Sequence, residues 1–153
     1  MADRTASILG FSGIFVAVIP IFIGLYEYRV NNERDFEKNF LNQQSLVYEE
    51  LLGALGGIST SISNPYDSVS QANYEAAKFN FNQLYYGKLN LYQTPYIERL
   101  TDSLYTMINN YDSIRLIDPH KVALDELIDN IQHKVYNLSD QCKKSLKSTY
   151  NLE

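Results

Sequence analysis

The sequence predicts an all-α chain: a single N-terminal transmembrane helix over residues 1–28, followed by an antiparallel four-helix bundle domain over 29–153. Three observations carry that reading. Nothing between Thr5 and Tyr26 is charged. Beyond Tyr28, apolar residues recur at helical spacing, and no stretch alternates as a half-buried strand does. Several short breaks carry Asn-Pro, Thr-Pro or Asp-Pro, the cap-plus-proline signature of a helix start.

The first element is the run ILGFSGIFVAVIPIFIGLY, from Ile8 to Tyr26. The uncharged stretch rises about 33 Å as a helix at about 1.5 Å per residue. A hydrocarbon core is about 30 Å thick, so it crosses once with modest tilt. Its backbone polar groups must be satisfied internally, which requires a helix. A cleaved signal peptide fits poorly. The leading charges are only Asp3 and Arg4, the apolar run is too long, and no A-x-A pattern follows.

Small residues punctuate the span at Ala6, Gly10, Gly13, Ala17, Pro20 and Gly24, in steps of 4, 3, 4, 3 and 4. That is an a/d heptad seam, and the bulky residues fall outside it. Lipid gives helices no hydrophobic reason to associate, so close approach through small residues supplies dispersion contacts instead. A 3.5-residue period predicts a left-handed supercoil. One span cannot bury the seam by itself. The expected partner is another copy in a closed ring, either a solid bundle or an apolar-walled pore with Pro20 as a kink or gate. The bland alternative is that transmembrane helices are simply rich in glycine.

The remainder is long enough for one domain with a core. The first helix continues to about Thr60, with Phe36, Phe40, Val47, Leu51, Leu55, Ile58 and Ile62 close to one stripe. Gly56 and Gly57 are expected to end it. Asn64-Pro65 restarts the chain, and the second helix runs to about Gly87. Its apolar residues (Ala72, Ala76, Phe79; Tyr74, Ala77, Phe81, Leu84) cover more than one face, which predicts a central helix. Thr94-Pro95 opens the third, with Ile97, Leu100, Leu104, Met107 and Tyr111 on one stripe. Asp118-Pro119 opens the fourth, with Leu124, Leu127, Ile131, Val135, Leu138 and Cys142 down one face. The connections near 61–65, 88–94 and 113–118 are short, as up-down packing requires.

Composition excludes more than it selects. The net charge is −5, and Asp3 and Arg4 cancel, so all of it follows the span. An acidic domain argues against general nucleic-acid binding. One cysteine permits no internal disulfide, in keeping with a reducing compartment. No phosphate loop, nucleophile elbow or zinc signature is present, so no catalytic residue is expected. His120 and His133 lie 13 apart on one helix, too far to share a metal. Neither a metal nor a cofactor is expected. Cys142 sits on the apolar stripe as a small core residue. Asp125, Glu126 and Asp129 read as a solvated face, as do Glu49 and Glu50.

Tyrosine stands out: thirteen residues, with no tryptophan. FNQLYYGKLNLYQTPY gathers Tyr85, Tyr86, Tyr92 and Tyr96 after Phe81. Packing with the hydroxyls reaching water or backbone is one explanation. A ligand surface is the other. There Tyr85, Tyr86 and Tyr92 would stack on nucleobases while Lys88 meets a phosphate. Lys143, Lys144 and Lys147 form a second basic cluster, of the kind that favours a helix C-terminus.

Two of these motifs carry a resemblance. Phe81, Gln83, Leu84, Tyr85, Tyr86, Gly87, Leu89 and Leu91 resemble a motif close to F-W-Q-L-Y-(Y/W)-G-x-L-x-L. Cys142, Lys143, Ser145 and Leu146 resemble a C-(R/K)-x-S-L ending. Both are similar to those of an uncharacterised bacterial family with one transmembrane helix and a small helical domain. The likeness covers about residues 29–150; Asn82 stands where the family usually has tryptophan. Size and architecture also resemble the membrane effectors of Hailong-type antiphage systems. In these a nucleotidyltransferase makes a nucleotide signal for a channel. The resemblance implies a bacterial inner-membrane protein with its helical domain in the cytoplasm. The expected function is a homo-oligomeric membrane effector, an ion channel gated by a nucleotide or oligonucleotide. The alternative is a passive anchor that recruits a partner protein.

Overall fold

The computed structural model describes the backbone of residues 3–64, 66–117 and 122–150, and the side chains of 23–64, 66–117 and 123–148. It is all-helical there: α1 (Asp3–Ser61), α2 (Ser68–Tyr86), α3 (Leu89–Tyr92), α4 (Pro95–Ile117) and α5 (Val122–Tyr150). The chain divides into two compact units, 1–40 and 41–153.

In the first unit the described side chains belong to α1. All from 23 to 40 are exposed except the half-buried Val30. Ile23, Leu25, Tyr26, Tyr28 and Phe36 are among the exposed ones. Arg29 Nε donates to Glu33 Oε1 at 3.2 Å, one turn along. Among the described residues no helix is long and apolar enough to cross a membrane. The side chains at Ala6, Ala17 and Pro20, and the positions of Gly10 and Gly13, lie outside the described side chains. Gly24 is described, with nothing within 4 Å of where a Cβ would stand.

The second unit packs the rest of α1 with α2, α4 and α5 around one core. From α1 come Val47, Leu51, Leu55 and Ile58, and Ile62 follows just past its end, all buried as the stripe predicts. The stripe stops there: Phe36 and Phe40 are exposed. The helix does not break at Gly56 or Gly57. A Cβ on Gly57 would lie 2.9 Å from the Ala77 Cβ, so this glycine permits close approach by α2.

The start of α2 also differs from expectation. Asp67, not Asn64, caps it: the carboxylate accepts the Ser70 N–H and hydroxyl, both at 2.9 Å. Pro65 lies outside the described residues. Nor is α2 buried all round. Tyr74, Ala77, Phe81 and Leu84 face the core, while Ala72, Ala76 and Phe79 are exposed.

Thr94 caps α4 as predicted. Its Oγ1 accepts the Ile97 N–H at 3.4 Å, and Pro95 is the first helical residue. Ile108 joins Ile97, Leu100, Leu104 and Tyr111 inside, and Met107 is only half-buried. The cap expected at Asp118-Pro119 lies outside the described residues. On α5, Leu124, Ile131, Leu138 and Cys142 are buried, with Leu127 and Val135 at the edge of the core. The connection near 88–94 holds the single turn α3, which buries Leu89.

Cross-helix pairs fix an antiparallel order. Glu50 of α1 meets Lys88, just past the end of α2, and Gly57 meets Ala77 between α1 and α2. Tyr74 meets Asp112 and Tyr85 meets Asp102 between α2 and α4. Tyrosine serves this core by filling it while keeping its hydroxyl paired. Tyr48 is buried, and its hydroxyl donates to the Tyr92 carbonyl at 3.0 Å. Tyr74 is buried and donates to Asp112 Oδ1 at 2.8 Å. Left unpaired, each hydroxyl would cost about 1–3 kcal/mol.

Candidate functional site

The candidate ligand residues cluster where α2 ends. Gly87 turns the chain there and sends its N–H to the Leu84 carbonyl at 3.2 Å. A Cβ on Gly87 would stand 2.7 Å from the Gln83 carbonyl oxygen, so no larger residue fits without a shift. This turn separates Tyr85 and Tyr86 from Lys88 and Tyr92, and the two pairs point to different neighbours.

Tyr85 and Tyr86 turn toward α4. The Tyr85 ring stacks on Tyr105 with centroids 4.6 Å apart and planes 5° from parallel. Its hydroxyl donates to Asp102 Oδ1 at 2.8 Å. That bond to a carboxylate, with burial second, pushes the Tyr85 phenol up to about 12. Tyr86 stands edge-on to Tyr85 at 5.1 Å, and its hydroxyl is 2.6 Å from that of Tyr105. One face of Tyr85 is thus already covered by a protein ring.

Lys88 turns the other way. Its Nζ sits 3.4 Å from both carboxylate oxygens of Glu50, in a loose pair that stays well exposed. The two residues stand at a cleft of about 710 Å³ between α1 and α2. Gly53 and Ala54 line it from α1, and Asn80, Gln83 and Leu84 line it from α2. Nothing lies within 4 Å of a Cβ placed on Gly53, so its missing side chain adds room. The lining offers one cation, one carboxylate and two amides. Such a set can bind a small polar ligand by charge and hydrogen bonds, and it contains no nucleophile paired with a base.

Tyr92 is tied by its backbone. Its carbonyl accepts the Gln44 amide at 2.7 Å and the Tyr48 hydroxyl at 3.0 Å, fastening the end of α3 to α1.

A second polar cluster joins α2 to α4. Asp112 accepts from Tyr74 and from Lys78 Nζ. Arg115 lies 3.8 Å from Asp112, donates to Glu75 at 3.0 Å, and sits over the Tyr74 ring at 5.0 Å. Burial, then the hydrogen bond to Asp112, pushes the Tyr74 phenol far above its ordinary range. The charges balance within the cluster.

The remaining candidates are scattered. Among the described residues no group of His, Cys, Asp and Glu could hold a metal ion. Cys142 is buried, and burial pushes its thiol up to about 12. Lys144 pairs with Asp140 at 2.6 Å, while Lys143 and Lys147 are exposed. Spacing alone did not point to Gly53, Asn80 or Asp102, because each matters through a neighbour on another helix. Glu50 was legible only as part of an exposed acidic pair. No known protein family, curated protein or solved structure matches the chain.

Proposed function

We propose that the chain is a homo-oligomeric single-pass membrane effector. In this reading residues 1–28 span a bacterial inner membrane and assemble through Ala6, Gly10, Gly13, Ala17, Pro20 and Gly24. The assembly is an ion channel of an antiphage system. A nucleotide or oligonucleotide, made by a partner nucleotidyltransferase, binds the helical domain and shifts the channel between closed and conducting states. Such a shift requires that the ligand bind the two states with different affinity.

The observation that carries the membrane part is the surface of α1 between Ile23 and Glu33. Ile23 and Leu25 are exposed, Tyr26 and Tyr28 follow with Glu27 between them, and the Arg29–Glu33 pair comes next. Apolar, then tyrosine, then charged is the order of side chains met on leaving a bilayer. For the ligand, the α1–α2 cleft supports a site with Lys88 as its anion contact and Asn80 and Gln83 as hydrogen-bonding groups. Tyr85 and Tyr86 then act from behind, holding α2 against α4, rather than by stacking on a base. The motif resemblance over 81–91 and 142–146 supports the architecture of one membrane helix with a small helical domain, and the defence setting rests on size and architecture alone.

The internal pairing of Tyr85 and Tyr86 also favours the second reading, a passive anchor that presents the helical domain to a partner protein.

Planar-bilayer conductance of the full-length protein, beside a Gly13→Leu variant, tests the first reading. Discrete conductance steps that vanish in the variant are expected. A well-formed oligomer that stays silent with and without nucleotides would favour the anchor. For the cleft, Gly53→Leu and Lys88→Glu should each abolish nucleotide binding while the domain stays helical. Unchanged binding in both would rule the cleft out.

A further inference from the structure

Two bridges of different strength join α1 to α2, and the cleft lies between them. At Gly57 the helices touch: an added Cβ would stand 2.9 Å from the Ala77 Cβ. About two turns earlier on α1, Glu50 reaches Lys88, just past the end of α2. Between these levels the walls are Gly53 and Ala54 on α1, with Asn80, Gln83 and Leu84 on α2. The first bridge is a contact of backbone against a methyl, with no flexible side chain to yield. The second is an ion pair between two long side chains across the open end of the cleft.

That pair is a weak one. Lys88 Nζ stands 3.4 Å from each Glu50 carboxylate oxygen, and the two side chains are 64% and 49% exposed. Lys144 and Asp140 close to 2.6 Å, and Arg115 and Glu75 to 3.0 Å. A pair so exposed adds little to the stability of the fold. Its effect is on occupancy. Lys88 is the one cation among the residues that line the cleft, and a carboxylate of the same chain already meets its charge. An ammonium has three donors, but two anions drawn to it repel each other at contact distance. A phosphate that takes Lys88 therefore displaces Glu50.

We propose that Glu50 is a built-in competitor: it occupies the anion subsite at Lys88 in the free domain and yields it to a phosphate-bearing ligand. The inference rests on the cleft reading above. A competitor within the chain lowers the affinity of every anion that uses Lys88 by one common factor. Small anions with no other contact then fail to fill the site. A ligand that also bonds to Asn80 and Gln83 retains enough affinity to bind, so Glu50 sets a threshold that excludes the wrong partners. The exchange also frees α1 from the end of α2 at Glu50 while Gly57 stays against Ala77. Ligand binding thus alters the contact between the two helices at one end only.

The test is calorimetric titration of the full-length protein in detergent with AMP, which brings one phosphate for Lys88 and a base whose edge can meet the amides. Glu50→Gln keeps the shape of the side chain and removes the competing charge. Both residues of the pair are exposed, so these substitutions leave the core intact. An exposed ion pair is formed for much of the time but not all of it, so AMP should bind Glu50→Gln about two- to sixfold more tightly than the unaltered chain. Plain repulsion between Glu50 and the phosphate would also produce a gain, and a second comparison isolates it. In a Lys88→Gln background the same Glu50→Gln change should give no comparable gain, because there is no lysine to compete for. Equal gains in the two backgrounds, or no gain where Lys88 is kept, overturn the proposal. The cleft reading survives either result so long as Lys88→Glu abolishes AMP binding. AMP binding that persists in Lys88→Glu, or that no chain shows, sinks the cleft reading and the competitor with it.

Discussion

The Cβ of Ala77 occupies the space that a side chain on Gly57 would need: an added Cβ there would lie only 2.9 Å away. Neither atom is the end of a flexible chain, so the two helices must separate to admit a methyl. Gly53, one turn earlier on the same helix, has nothing within 4 Å of that position. The two glycines therefore answer oppositely to alanine. Gly53→Ala should stabilise the fold by about 0.5–1 kcal/mol through helix propensity alone. Gly57→Ala should destabilise it by about 1–3 kcal/mol through overpacking. Thermal unfolding of the two variants reads both signs, and equal shifts would contradict the close approach.

Asp112 holds together groups that would otherwise be stranded. Tyr74, Lys78 and Arg115 all address its carboxylate, whose side chain is 18% exposed. Asp112→Ala leaves a buried hydroxyl and two cations short of a partner. A loss of about 2–3 kcal/mol in urea unfolding is expected. Asp112→Asn keeps an acceptor for Tyr74 and should lose less.

Asp67 makes the start of α2 sensitive to acid. The Ser70 N–H, and then the Ser70 hydroxyl, hold its carboxyl below the ordinary aspartate value. A depressed folded pKa contributes stability above the unfolded value and loses it as pH falls through the folded one. Asp67→Asn keeps a cap and removes this titration. Its Tm should fall less between pH 5 and pH 2 than that of the unaltered chain.

Alkali acts on Cys142 and Tyr85. Burial pushes the Cys142 thiol up to about 12, and the bond to Asp102 pushes Tyr85 up to about 12. Both folded values lie above the unfolded ones. The associated stability is therefore complete below about pH 9 and is lost as pH rises toward 12. Tm should decline across that window. A thiol reagent at pH 8 should label Cys142 only after denaturant is added, and rapid labelling of the native chain would contradict its burial.

Legibility in the sequence followed the range of the interaction. The cap at Thr94 and the stripe on α5 depend on residues within a turn or two, and both were readable. The start of α2 differs from the expectation at Asn64-Pro65 because only geometry shows that the Asp67 carboxylate, three residues on, reaches an open N–H. Gly56 and Gly57 looked like breakers because propensity is all that a lone helix displays. A cost of about 1 kcal/mol per glycine yields readily to a packed neighbour such as Ala77. The ligand candidates failed to converge for a similar reason. Tyr85 and Lys88 are close in sequence, but the turn at Gly87 sends one toward Asp102 and the other toward Glu50.

The face-to-face rings of Tyr85 and Tyr105 have an optical consequence. The chain has thirteen tyrosines and no tryptophan, so no stronger chromophore masks them. Two parallel phenols with centroids 4.6 Å apart couple their ultraviolet transitions. The seam between α2 and α4 thus carries its own label in near-ultraviolet circular dichroism. The part of the near-ultraviolet signal that Tyr105→Leu removes belongs to this cluster, and its loss while the far-ultraviolet helix signal persists would report α2 lifting off α4, with no probe attached.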